Sequence, residues 1–552
     1  MSERKEANGA EAPVGAEAPA RVDAVIIGAG FAGLYALHRM RQLGLTAVVF
    51  EAGRDVGGVW YWNRYPGARC DVESMQYSYS FSRALEQEWE WSERFAPQPE
   101  ILAYINHVAE RFDLRRDIRF ETRVVSAHFD AGSTLWHVRT DRGDAVHAQF
   151  CIMATGSLSA ARVPELPGLE TFAGRKYHTG DWPHEGVDFR DHRVGVIGTG
   201  SSAIQAIPVI AEAAAHVVVF QRTPNFVVPA RNQRLDQPAI RFWKDDYPAH
   251  RARAREIGTF YEFSDKSALD VDAAEREREY GRRWQEGGVN FVHSFKDIYL
   301  DQRSNDTAAE FVRARIRDLV HDPAVAEALS PRDHPLGSKR ICVGSDYYET
   351  FNRENVTLVS IREEPIETIT PTGVRTAKAE YPVDTLVLAT GYDALTGALL
   401  RIDIKGSSGQ TLQHKWAQGP RNYLGLMTAG FPNMFIVTGP GSPSVLVNMV
   451  IGIEQHVDWI ADCIDHLRRH GKAGIEATPE AEDHWVRHVN DEADLTLFPK
   501  AASWYLGANI PGKPRVFMPY VGGIGRYRKK CDEVAARGYE GFAIHPNPCP
   551  NP

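Results

Sequence analysis

Two glycine-rich turns carry the first chemistry legible in this chain: Gly28-Ala29-Gly30-Phe31-Ala32-Gly33 and Gly198-Thr199-Gly200-Ser201-Ser202-Ala203. In a G-x-G-x-x-G turn the first Gly permits the tight bend and the second lets the backbone approach a pyrophosphate. The third lets helix and strand pack closely, and Ala is an allowed variant there. The anion rests on free amides at a helix N-terminus, where the helix dipole favours negative charge. Each turn is followed, some twenty residues on, by a side chain that selects the nucleotide. Glu51 is a carboxylate suited to a ribose with free hydroxyls, and the Gly57-Gly58 pair after it is typical of FAD units. Arg222, in Gln221-Arg222-Thr223, suits a 2′-phosphate that a carboxylate would repel, so the second nucleotide is read as NADPH. Two nucleotide sites in one chain point to electrons passing from one cofactor to another.

The elements around the turns agree. Asp23 to Ile27 is a short apolar run of the kind that forms a buried parallel strand, followed after the turn by a helical stretch, Leu34 to Leu43, and a strand, Ala47 to Phe50. The unit repeats as Arg193 to Ile197, a helix to about Ala213 and a strand from His216 to Phe220. Between Val228 and Leu336 apolar strands disappear, and charged, helix-favouring runs such as Ala273 to Glu286 and Ala308 to Leu329 replace them. Strand-like segments return at Val356 to Val359 and Thr385 to Leu388. The latter enters Ala389-Thr390-Gly391, and a close copy, Ala154-Thr155-Gly156, follows Phe150 to Met153. Small-residue turns at these places let the chain cross between domains twice. The expected fold is α/β, with two Rossmann-like domains, the NADP domain inserted in the FAD domain and carrying a helical insertion. The expected boundaries are a disordered leader (1–20), FAD domain (21–156), NADP domain (157–228), helical insertion (229–336), NADP domain again (337–391) and FAD domain again (392–552).

The 552 residues, 43% hydrophobic and 24% charged, suit a soluble globular protein of two or three domains. A net charge of -9 argues against a nucleic-acid partner, and no apolar stretch is long enough to span a bilayer. The leader has no apolar core and resembles no signal or transit peptide. Six scattered cysteines (Cys70, Cys151, Cys342, Cys463, Cys531, Cys549) include no CxxC, which argues against a metal ribbon and suits a reducing compartment. No metal is expected, and the cytoplasm is the expected location.

Between the two units lies Phe172-Ala173-Gly174-Arg175-Lys176-Tyr177-His178-Thr179-Gly180-Asp181-Trp182-Pro183. Its pattern, FxGxxxHxxxWP, resembles the signature of the Baeyer–Villiger monooxygenases, flavoenzymes that insert oxygen beside a ketone. The runs Gly57 to Trp62, Tyr65 to Asp71, Gly439 to Ser444 and Ser503 to Lys513 resemble the same family. The likeness covers nearly the whole chain and is strongest to members that oxidise phenylacetone and steroids. It implies that NADPH reduces FAD, that O₂ adds to give a C4a-peroxyflavin, and that a bulky cyclic, aryl or steroidal ketone leaves as an ester or lactone. The implied partners are a small-molecule ketone and O₂, with a monomer as the simplest assembly.

The resemblance also assigns residues. Arg340 matches the family's active-site arginine, a permanent planar cation suited to a peroxide anion. Buried alone it would be costly, and Asp71 is its natural partner. Gly58, Trp60 and Tyr77 fall on the flavin side. Gly198, Gly200, Ser201, Arg222, Thr223 and Lys339 fall to NADPH, and Trp504 folds over the nicotinamide. Phe172, Gly174, His178 and Trp182 couple the domains rather than catalyse, and Ser444, Val445, Leu446 and Met449 shape the ketone pocket. One departure bears on substrate: Ser157 stands near where phenylacetone-oxidising members have a longer Gln, which puts aryl ketones in question. A flavin disulfide reductase lacks its cysteine pair here. An N- or S-oxygenating flavin monooxygenase is nearer, although those relatives usually lack the Trp182-Pro183 ending. A non-enzymatic dinucleotide-binding protein is the remaining alternative.

Overall fold

Strand Ala20–Ile27 becomes wholly buried over its last four residues because parallel strands flank it on both sides, Ala47–Phe50 and Ala145–Met153. The computed structural model describes residues 20–546. The leader expected over the first twenty residues therefore lies outside the described residues, except for Ala20, with which this strand opens. In the sheet, Ala145–Met153 also pairs with Met434–Ile436, and Val124–Asp130 pairs with Asp403–Lys405. One sheet thus draws strands from both ends of the chain.

The second sheet lies between them in sequence. Its five strands run Val356–Ser360, His216–Gln221, Arg193–Ile197, Thr385–Leu388 and Arg175–His178, all parallel. The chain is thus α/β, with one Rossmann-like domain inserted in another. The helix after the first turn spans Phe31–Gln42, beginning three residues before the expected Leu34 because Gly30 already serves as its N-cap.

The helical insertion hangs from the inserted sheet. Its helices Gln237–Asp245, Tyr247–Ile257, Ala273–Glu286, Gln302–Leu319 and Pro323–Leu329 are each preceded by an Asp whose side chain accepts a backbone N–H. The expected single run from Ala308 to Leu329 is broken there: Asp322 caps a new helix that Pro323 opens. Strand structure does not vanish at its mouth either, because Val227–Pro229 pairs in parallel with Cys342–Gly344. Arg251 docks the insertion on the first domain, donating to Glu86 at 2.9 Å, Gln76 O at 3.0 Å and Ser78 Oγ at 2.8 Å. Among the described residues no helix is long and apolar enough to cross a membrane.

Candidate active site

Close backbone approach explains the glycines. A Cβ on Gly28, whose φ is +104°, would lie 2.6 Å from Ala154 O, and one on Gly198 would lie 2.4 Å from Ala389 O. On Gly33 it would fall 1.8 Å from Gly28 O, so the first helix can approach its strand only with Gly there. A Cβ on Gly30 would lie 3.3 Å from Gly58 Cα, whereas one on Gly200 would meet nothing within 4 Å. Both turns open into a single cavity of about 990 Å³.

Glu51, in the cavity wall, accepts from Ala29 N at 2.8 Å and Gly53 N at 2.7 Å. Each carboxylate oxygen keeps a lone pair for a further donor. Burial raises the Glu51 pKa, and the backbone donors offset that only in part. Nearby, Trp60 Nε1 donates to Tyr77 Oη at 3.1 Å, and both rings line the cavity.

Arg340 meets Asp71 through two parallel hydrogen bonds, Nε to Oδ2 at 2.7 Å and Nη2 to Oδ1 at 2.8 Å, and its Nη1 donates to Val445 O at 2.8 Å. The side chains keep 28% and 22% of their exposure, and both face the cavity. Desolvation pulls the guanidinium pKa down, but Asp71 outweighs it, so the pKa stands well above the usual arginine value. Two elements set the pair. The strand Cys342–Gly344 fixes Arg340 two residues upstream. Tyr65 Oη donates to Gln205 Oε1 at 2.9 Å and Gln205 Nε2 to Arg69 O at 3.1 Å, which ties the segment of Asp71 to the helix Ser201–Ala213. Gln205 and the Val445 carbonyl are contributions that no local pattern announced.

Ser201, Arg222, Thr223 and Lys339 also line the cavity, beside the second turn. Burial lowers the Lys339 pKa, Asp333 raises it, and Arg222 and Arg362 lower it again, so these four charges share one field. Arg362, which donates to Thr223 Oγ1 at 3.1 Å, was missed in the sequence because it lies on a separate segment.

Phe172, Gly174, His178 and Trp182 stand outside the cavity wall. Phe172 is buried beside the second sheet, and a Cβ on Gly174 would lie 2.4 Å from Asp384 O. Trp182, 3% exposed, donates its backbone N–H to Trp62 O at 3.2 Å, across the two domains. His178 Nδ1 accepts from Gly180 N at 2.9 Å, which leaves the proton on Nε2 to meet Arg162 O at 3.0 Å. Thr390 Oγ1 donates to the same carbonyl at 2.7 Å, so His178 joins the two crossing segments. Burial lowers its pKa, against the opposing pull of the Arg162 carbonyl and Asp181.

The expected ketone-pocket group divides. Val445 and Met449 line the cavity. Ser444 does not: it is 2% exposed, has φ +44°, and donates its hydroxyl to Thr438 O at 3.1 Å. Leu446 packs into the cluster of Phe498, Tyr505 and Phe517 instead. Ser157 is in the wall, as is Trp504, whose ring lies 4.3 Å from that of Tyr505.

Comparison with known proteins bears on this site. Residues 21–238 match the flavin-binding monooxygenase-like family. A Baeyer–Villiger monooxygenase of Pseudooceanicola batsensis is 43% identical over 94% of this chain and 95% of its own length. The chain belongs to the Baeyer–Villiger monooxygenases. The structure of an oxidised steroid monooxygenase bound to NADP is similar at 55% identity and a TM-score of 0.91, over 95% of this chain and 99% of that one. A closed cyclohexanone monooxygenase is similar at 43% identity and a TM-score of 0.94, over 96% and 100%. As a Baeyer–Villiger monooxygenase the chain is an FAD- and NADPH-dependent enzyme. Its residues suit both groups: Glu51 has lone pairs free beside the first turn, and open space faces Gly200 with three cations near the second.

Proposed function

We propose that this monooxygenase converts bulky cyclic, aryl or steroidal ketones into esters or lactones, with Arg340 as the catalytic cation and Asp71 as its anchor. The carrying observation is the bidentate Asp71–Arg340 pair, set in the wall of the cavity into which both fingerprints open. When bound, FAD supplies the reactivity toward O₂ and NADPH the electrons. Arg340 has five N–H donors. Asp71 and Val445 O engage three and the Tyr505 hydroxyl is in hydrogen-bond reach of the same guanidinium, which leaves one N–H for negative charge developing on oxygen. Asp71 and Val445 O hold the fork still, so little reorganisation is needed when that charge appears.

Placement in the cavity wall supports the cofactor and ketone roles in this reading. Glu51, Gly58, Trp60 and Tyr77 bound the FAD side. Ser201, Arg222, Thr223 and Lys339 bound the NADPH side, and Trp504 covers the opening between them. Val445, Met449 and Ser157 border the ketone, and His178 with Trp182 transmits movement between the domains. Similarity to a steroid monooxygenase favours the bulky end of the substrate range. In this reading 21–156 and 392–552 form the FAD domain, 157–228 and 337–391 the NADP domain, and 229–336 the helical insertion, in a cytoplasmic monomer.

The test is mass spectrometry of cyclic, aryl and steroidal ketones incubated with enzyme, NADPH and ¹⁸O₂. Esterase-sensitive products carrying one labelled oxygen are expected. Labelled sulfoxides or N-oxides from matched heteroatom substrates, with no ester from any ketone, would overturn the proposal.

A further inference from the structure

Beside the second fingerprint the Asp333 carboxylate stands among the cations. The Arg362 guanidinium, just beyond the strand Val356–Ser360, donates both to Thr223 Oγ1 and to Asp333 Oδ2. The other oxygen of Asp333 meets His334 Nδ1 at 2.7 Å. Lys339 senses Asp333 as an attractive charge and Arg222 and Arg362 as repulsive ones. Asp333 keeps 33% of its side-chain exposure and Arg362 keeps 52%, so their ion pair is open to water and exchange.

A seat for a 2′-phosphate gains from cations and loses from a nearby carboxylate. Asp333 pairs with one of those cations through the nitrogen, Nη2, that also reaches Thr223. We infer that Asp333 is an internal competitor of the 2′-phosphate, a specificity-setting residue that weakens the hold on NADP(H) and hastens its release. This rests on the reading that Arg222, Thr223 and Lys339 seat that phosphate. The consequence for turnover is direct, since the oxidised coenzyme carries the same phosphate and must leave in every cycle. A merely structural Asp333 would do the opposite: it would hold Arg362 in place, and its loss would loosen the nucleotide.

Titration calorimetry of the flavin-loaded enzyme with 2′,5′-ADP and with 5′-AMP separates these roles. In Asp333→Asn, 2′,5′-ADP should bind about three- to tenfold more tightly, while 5′-AMP stays within about twofold. Asp333→Ser should behave alike. The gain should shrink with added salt and vanish when Arg362→Ala is combined with Asp333→Asn. Unchanged or weaker 2′,5′-ADP binding in both single variants, or equal tightening of both ligands, would overturn the inference. A wild-type enzyme that does not prefer 2′,5′-ADP over 5′-AMP would overturn the seat itself, and the inference with it.

Discussion

Asp71 and Arg340 lie 269 residues apart in sequence, yet their side chains meet at 2.7 and 2.8 Å in a planar fork at the cavity wall. Besides neutralising the charge, the fork fixes the orientation of the guanidinium plane at the cavity wall. A lysine could carry the charge but would lack both the planar fork and the third contact to Val445 O.

Arg340→Ala should uncouple the enzyme. NADPH oxidation is expected to stay within about tenfold of wild type, while ester formation falls by about 100-fold or more. Product analysis beside flavin bleaching by stopped flow reads both, and normal ester yield would remove Arg340 from the chemistry. Asp71→Ala leaves a partly buried guanidinium without its counter-charge and should also cost about 1–2 kcal/mol of stability by denaturant titration.

Arg222→Ala removes a charge-assisted contact worth about 1.5–3 kcal/mol. The KM for NADPH should rise about 10- to 100-fold with a smaller change in kcat, and that for NADH should hardly move. Retained preference for NADPH over NADH would refute the assignment of Arg222.

The two fingerprints should respond differently to one added methyl group. Gly200 has φ −84° and ψ −176°, which any residue adopts, and its Cβ would meet open space. Gly200→Ala should therefore fold and hold flavin, with its loss confined to NADPH affinity. Gly33→Ala would force a Cβ to 1.8 Å from Gly28 O, so the purified protein should be unstable and poor in flavin. Visible absorbance per mole of protein and melting temperature distinguish them; equal behaviour would contradict this account of the turns.

Acid should destabilise the fold through His456, which is 1% exposed. Its Nδ1 accepts from Thr438 N at 2.9 Å and its Nε2 faces Tyr527 Oη at 2.9 Å, while burial pushes its pKa down to about 3. Below the unfolded value near 6.5, the unfolded chain takes up a proton that the native state refuses. Stability should then fall by about 1.4 kcal/mol per pH unit from this group, from pH near 6.5 down to its folded value. His456→Gln, which offers an acceptor and a donor without the titration, should flatten the decline in Tm between neutral pH and pH near 5. An unchanged slope would assign the acid sensitivity elsewhere.

What the sequence determined by itself was local. Strand, glycine turn, helix and selecting residue follow one another within each unit, so Glu51 and Arg222 could be read from spacing, and the run Phe172 to Pro183 carried the family resemblance. That resemblance also named Asp71 and Arg340 as partners, without their geometry. Tertiary structure alone decided the rest. The Val445 carbonyl became the third anchor of Arg340, Ser444 and Leu446 turned from the cavity, Gln205 braced the segment of Asp71, and Asp333 came to face Arg362. The ribbon of Val227–Pro229 with Cys342–Gly344 has three residues in each strand, too few to show an alternation. Three of these contacts, Arg340 with Val445, Arg69 with Gln205 and the ribbon, join segments more than a hundred residues apart, and they follow from tertiary packing rather than from any periodicity along the chain. A side chain's type records what it can do; its neighbours across the fold decide what it does.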